Sequence, residues 1–86
     1  MGNKFDFSTA ETLCELLIDT ADTMESENTK MQHNFDALHE SFRDSTYDVF
    51  KSEFSDADKT IADAITALRE LNIALRKYSE QMREAL

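Results

Sequence analysis

The chain reads as an all-α, two-helix antiparallel hairpin, and three observations predict this. In residues 10–42, apolar or small side chains recur at alternating spacings of four and three: Ala10, Cys14, Leu17, Ala21, Met24, Asn28, Met31, Phe35, Leu38 and Phe42, with Asn28 the one polar member. A second such row runs through Tyr47, Phe50, Phe54, Ala57, Ile61, Ala64, Leu68, Leu71, Leu75, Tyr78, Met82 and Ala85. The two rows are out of phase. Extending the first would require Ser45, Val49, Ser52, Asp56, Lys59 and Asp63, almost all polar, so one helix cannot carry both seams. The third observation is compositional: one Gly, no Pro and no Trp leave almost no turn chemistry for strands.

Taken in order, the elements justify themselves locally. The first seven residues are expected to fray. Ser8 and Glu11 have the spacing of a capping box, in which the hydroxyl accepts from the third helical amide and the carboxylate reaches back, so helix 1 is placed at about 9–41. Thr20, Thr23, Ser26, Asn28, Thr29 and Asn34 are indifferent helix formers and make its middle the softest part. The tip falls at about 42–46, where Arg43, Asp44, Ser45 and Thr46 offer side-chain hydrogen bonds to the backbone in place of helical ones. Helix 2 follows at about 47–84, capped by Ser45 or Thr46. Its second half is rich in Ala, Leu, Arg and Glu, with Arg76, Lys77 and Arg83 near the negative end of the helix dipole. Antiparallel pairing around this tip sets opposite each other residues whose numbers sum to about 89.

At 86 residues this is one domain, residues 1–86, small enough to need help from a partner for comfortable stability. Cys14, the single cysteine, excludes an internal disulfide and is read as a buried, inert thiol. No apolar run reaches the roughly 18 residues of a membrane span, and the N-terminus MGNKFDFSTAE lacks the zones of a cleavable signal peptide. Met1-Gly2 is not followed by Ser or Thr at the sixth position, which argues against myristoylation. The product is expected to be soluble and cytoplasmic at synthesis.

Charge is unevenly placed. Within a net charge of −9, residues 8–41 carry Glu11, Glu15, Asp19, Asp22, Glu25, Glu27, Asp36 and Glu40 against Lys30 alone, a balance of −7. Residues 61–86 balance to zero, with four acids against four bases. Such a first helix excludes bare nucleic acid and anionic bilayers as ligands and leaves a basic protein surface as one conceivable partner.

Three consecutive apolar positions, Leu16, Leu17 and Ile18, cannot all be covered by one neighbouring helix. With Leu13 and Ile73 they leave apolar surface at the open end of the hairpin. A candidate partner interface of Leu13, Leu16, Ile18 and Ile73 follows, filled by a second copy or by another helical protein in a four-helix bundle.

Constellations able to carry chemistry are weak. Asp36-x-x-His39 is half of an acid-x-x-His di-metal pair, but helix 2 has no histidine, and His33 and His39 share no face and are expected to be solvated. The pairs Glu11/Glu15 and Asp19/Asp22 lack an enclosing pocket to separate their pKa values. No Gly-rich phosphate loop and no converging Ser/His/Asp set exists. The expectation is no enzyme, no catalytic residue, no metal and no cofactor. Asn28, opposite Ile61 across the hairpin, is expected either to bend to solvent or to meet an Asn of another chain.

The tip reads Leu38-x-x-x-Phe42-x-Asp44-x-Thr46-x-x-x-Phe50. In spacing it resembles the Leu-x-x-x-Trp-x-Gly-x-small-x-x-x-Phe tip of the small helical-hairpin proteins exported by type VII secretion systems, the early-secreted-antigen or WXG superfamily. Phe42 stands where the family has Trp and Asp44 where it has Gly. Divergent members of this kind resemble the accessory proteins of LXG-type toxins in Gram-positive bacteria. The resemblance implies pairing with the helical N-terminal domain of such a toxin, delivery to the secretion machinery, and export without a cleaved signal peptide. It also implies an aromatic-x-x-x-acid export signal. Tyr78 is followed four residues on by Met82, not an acid, whereas Phe54 and Asp58 have the spacing on helix 2 and are the candidate signal; Phe7 and Glu11 repeat it on helix 1. A different reading, from charge alone, is an acidic antitoxin-like or decoy inhibitor of a basic protein surface.

Overall fold

The computed structural model describes residues 4–42 and 44–86. Two α-helices, α1 (Phe7–His39) and α2 (Ser45–Glu84), lie antiparallel and form a rod of 64 × 19 × 17 Å. The all-α hairpin is therefore the fold, and no strand occurs among the described residues.

Helix α1 starts two residues before the expected position. Asp6, with extended backbone, is the N-cap, and its Oδ1 accepts from the Thr9 amide at 3.0 Å. Asp6 lies three residues before that amide, the usual reach of a capping carboxylate, and so displaces the Ser8/Glu11 box. The Thr9 amide holds the Asp6 carboxyl below its ordinary pKa. Nor is all of the segment before residue 8 frayed: Phe5 packs edge-on to Phe7, and the Arg83 guanidinium sits 4.5 Å from the Phe7 ring centroid. Residues 1–3 lie outside the described residues.

Helix α1 ends at His39 rather than near residue 41, because the amides of Ser41 and Phe42 both turn back to the Leu38 carbonyl. Across the turn, Asp44 rather than Ser45 or Thr46 is the N-cap of α2, its side chain accepting from the Thr46 amide at 2.9 Å. Arg43, part of the expected tip, lies outside the described residues.

Two kinds of packing hold the rod. At the tip, aromatic rings wedge the helices: Phe35 stacks on Phe54 with centroids 4.2 Å apart and also meets Tyr47 and Phe50. Towards the open end, α1 offers small side chains, and the helices come close enough for the Cys14 thiol to approach the Asn72 carbonyl oxygen, at 4.0 Å. Ala21 is fully buried there, and Cys14 is almost so. The pairs Phe35/Phe54, Gln32/Asp58 and Cys14/Asn72 sum to 89, 90 and 86, close to the expected register.

The buried face of α2 departs from the expected seam. Tyr47, Ile65 and Asn72 are its buried residues, with Phe54, Asp58, Ile61, Leu68, Leu75 and Ser79 half-buried, whereas Leu71, Tyr78 and Met82 are exposed. The reason is steric. A close approach over Ala10, Cys14 and Ala21 accommodates the compact side chains of Asn72 and Ser79, while bulky Leu71, Tyr78 and Met82 are rotated out.

Candidate functional site: the apolar face of the hairpin

Successive side chains on a helix step about 100° around its axis, so the buried line of each helix divides its remaining surface into two flanks. On α1 the line runs through Ala10, Cys14, Leu17, Ala21 and Asn28; on α2 it runs through Tyr47, Phe54, Ile65 and Asn72. Leu13, Leu16, Met31 and Leu38 fall 60° or more to one side on α1, and Phe50, Leu71, Tyr78 and Met82 fall to the corresponding side on α2 (angles of roughly 60–125° by helical geometry). Because the helices are antiparallel, these two flanks point the same way. All eight side chains are exposed, and they make one face of the rod apolar at its open end and again towards its tip. Near the tip both helices line one groove there, through Met31, Asn34, Phe35, Leu38, Phe50 and Phe54.

The opposite face is polar. It holds the cross-helix contacts: Gln32 donates to Asp58 Oδ1 at 2.8 Å, and Arg69 reaches both Asp22 at 3.1 Å and Glu25 at 3.1 Å. Hydrogen bonds from Arg69 lower the Glu25 pKa, and the bonds to Glu25 and Asp22 raise that of Arg69. A groove on this side is lined by Glu25, Asn28, Thr29, Gln32, Ala62, Ile65, Thr66 and Arg69. Two of the acids of α1 are thus engaged within the chain.

This division corrects the expected partner interface. Leu13 and Leu16 lie on the apolar face, but Ile18 and Ile73 each follow a buried neighbour by one position and lie on the polar face, Ile18 half-buried and Ile73 exposed. Sequence spacing placed Leu71, Tyr78 and Met82 in the seam, so their membership of the face was missed. The signal that could have revealed it is the size of the residues opposite, Ala10, Cys14 and Ala21.

The tip residues are brought together. Phe42 lies edge-on to Tyr47, with centroids 5.6 Å apart, and 6.2 Å from Phe50. Leu38 stands exposed beside them, and Asp44 serves as the cap. His39, expected to be solvated, stacks on Tyr47 at 4.5 Å while remaining exposed.

The candidate export pair is engaged internally. Phe54 stacks on Phe35, and Asp58, half-buried, accepts the Gln32 amide, so neither is presented outward as a free ring and carboxylate. Phe54 lies on the buried line of α2 and Asp58 beside it at the edge of the polar face, where the register across the hairpin meets Phe35 and Gln32. Phe7, the ring of the second such spacing, lies against Arg83. Tyr78 is 55% exposed and lies on the apolar face.

Asn28 does not bend to solvent. It is buried, and its Oδ1 has no hydrogen-bond partner, an orphan at mid-rod. Among the described residues, no three His, Cys, Asp or Glu side chains gather as a metal site requires, and no helix is long and apolar enough to cross a membrane. No protein-family model, curated protein or solved structure matches the chain.

Proposed function

We propose that the chain is a non-enzymatic pairing module whose apolar face docks a second helical chain to form a four-helix arrangement. Following the tip resemblance, we read it as an accessory protein of a type VII secretion substrate, binding the helical N-terminal domain of an LXG-type toxin and exported with it. The observation that carries the pairing is the apolar face itself: Leu13, Leu16, Leu71, Tyr78 and Met82 at one end and Met31, Leu38 and Phe50 at the other are all exposed on one side. A patch of that extent is uncommon on a protein that works alone. A rigid pair of helices also fits the known mode in which an apolar helix face is laid against another.

The test uses Leu16→Glu, which adds a charge in the face at an exposed position. Helicity by circular dichroism stays unchanged, while co-purification of the toxin domain and its export from the source cell fall at least tenfold. Undiminished binding and export by a folded Leu16→Glu protein overturn the reading. The decoy alternative is separated by salt. A partner held by the acids of α1 is lost between low and physiological salt, whereas one held by the apolar face is not. Engagement of Asp22 and Glu25 by Arg69 favours the apolar reading.

A further inference from the structure

At the open end of the hairpin the polar face is indented by a cavity of about 230 Å³. Phe7 and Cys14 of α1 and Arg76, Ser79 and Arg83 of α2 line it, with Glu11 and Glu80 beside them. Arg76 and Arg83 lie seven residues apart, about two helical turns, on one side of α2, and half-buried Ser79 stands between them. Each guanidinium is held by an uncharged group. Buried Asn72 accepts from Arg76 Nε through its Oδ1 at 3.1 Å, and the Arg83 guanidinium carbon lies 4.5 Å from the centroid of the Phe7 ring. Arg69, further along the same face, has its donors spent on Asp22 and Glu25. Arg76 and Arg83, by contrast, have no ion pair among the described residues, although Glu11 and Glu80 line the same cavity.

We infer that this cavity is a second binding site, which takes the carboxylate of an acidic side chain on another protein. Guanidinium N–H groups match a carboxylate in both geometry and charge, and groups already held in place lose less freedom when they bind it. Only the Nε–H of Arg76 is engaged, so its terminal nitrogens remain to donate. The volume falls below the roughly 300–1,000 Å³ of pockets that enclose a whole small molecule, which suits the cavity to the end of a side chain. Phe7 and Cys14 give the methylene stem of that side chain an apolar wall. The acids set the charge of the occupant. With Glu11 and Glu80 the two arginines sum to zero, on a chain of net charge −9, so one carboxylate meets less repulsion than a phosphate of about two negative charges. The cavity is on the opposite side of the rod from the apolar face, and the inference does not depend on pairing there.

The probe is an acetylated, amidated pentapeptide with a central glutamate among alanines, compared with its glutamine counterpart and with inorganic phosphate at constant ionic strength. NMR titration of the full chain follows the arginine Nε–H and backbone amide signals. The glutamate peptide is expected to give saturable shifts centred on Arg76, Ser79 and Arg83, and the glutamine peptide none. Arg76→Gln and Arg83→Gln, both at exposed positions, should each weaken binding about tenfold through loss of a charge-assisted pair, with helicity unchanged. Arg69→Gln removes the same charge from a guanidinium that is already spent, and should change binding by less than about twofold. Equal weakening by all three variants would mean that net charge alone attracts the peptide, and the site fails. It fails as well if phosphate binds more tightly than the glutamate peptide, or if no saturable shift appears. Leu16→Glu should leave peptide binding unchanged, which keeps a failure of the pairing function distinct from a failure of this site.

Discussion

Asn28 and Asp58 illustrate how single polar groups in the seam act in opposite senses. The orphan Oδ1 of Asn28 has given up its hydration without a replacement bond, a cost of about 1–3 kcal/mol. Asn28→Leu, close in size and apolar, is expected to stabilise the hairpin by about 1 kcal/mol, read as a raised urea midpoint at unchanged slope. Asp58 instead accepts a bond from Gln32, so Asp58→Ala should lower stability by about 1 kcal/mol, while Asp58→Asn keeps an acceptor oxygen and loses less. Equal midpoints for Asp58→Ala and the wild type would show that the contact contributes nothing. Glu25 supplies a pH dependence. Its folded pKa is lowered by Arg69, so its contribution is complete above the ordinary carboxylate pKa and disappears as the pH falls through the lowered folded value. In thermal melts the wild type should exceed Arg69→Gln at neutral pH, with the gap closing in acid. The groups are exposed, and added salt should shrink the gap as well.

Each helix joins two packing regimes, and they respond differently to mutation. In the tip half, Phe35 is the ring against which Tyr47, Phe50 and Phe54 assemble, so Phe54→Ala leaves a gap. It should cost up to about 3 kcal/mol, the lower part of the range for an aromatic truncation because Phe54 is only half-buried. In the open half the limiting quantity is space. Ala21 is fully buried, so Ala21→Leu should destabilise by about 1–3 kcal/mol even though it adds apolar surface and helix propensity. Chemical denaturation of both variants checks this. A stabilised Ala21→Leu would mean the helices are not closely apposed there, and the account of why Leu71, Tyr78 and Met82 face outward would fall with it.

At the scale of the whole rod, the hairpin is a two-sided object: cross-helix polar contacts on one face, unpaired apolar side chains on the other. The two sides should separate experimentally. Arg69→Gln is expected to change stability and leave pairing through the apolar face intact, whereas Tyr78→Glu should abolish pairing with little loss of helicity. Tyr78 also stands where the resemblance puts the aromatic of an export signal, so a fall in export on its mutation must be judged against binding measured in the same variant. Secretion lost with binding retained would assign Tyr78 a role beyond docking.

By itself the sequence determined that the chain folds as two antiparallel helices, where the turn falls, and nearly which residues stand opposite one another. These follow from period and phase, which are properties of position along the chain: the break in phase between Phe42 and Tyr47 is visible without coordinates. It also exposed the surplus of apolar residues at Leu13 and Leu16. Only the tertiary structure decided which of two plausible stripes of α2 meets α1. Both Leu71 and Asn72 keep helical spacing with their neighbours, and hydrophobicity alone chooses Leu71. The choice turns on interhelical distance, set by Ala10, Cys14 and Ala21 on the other helix, and side-chain volume across an interface is not a periodicity of either segment. The same fact turns Tyr78 and Met82 outward with Leu71.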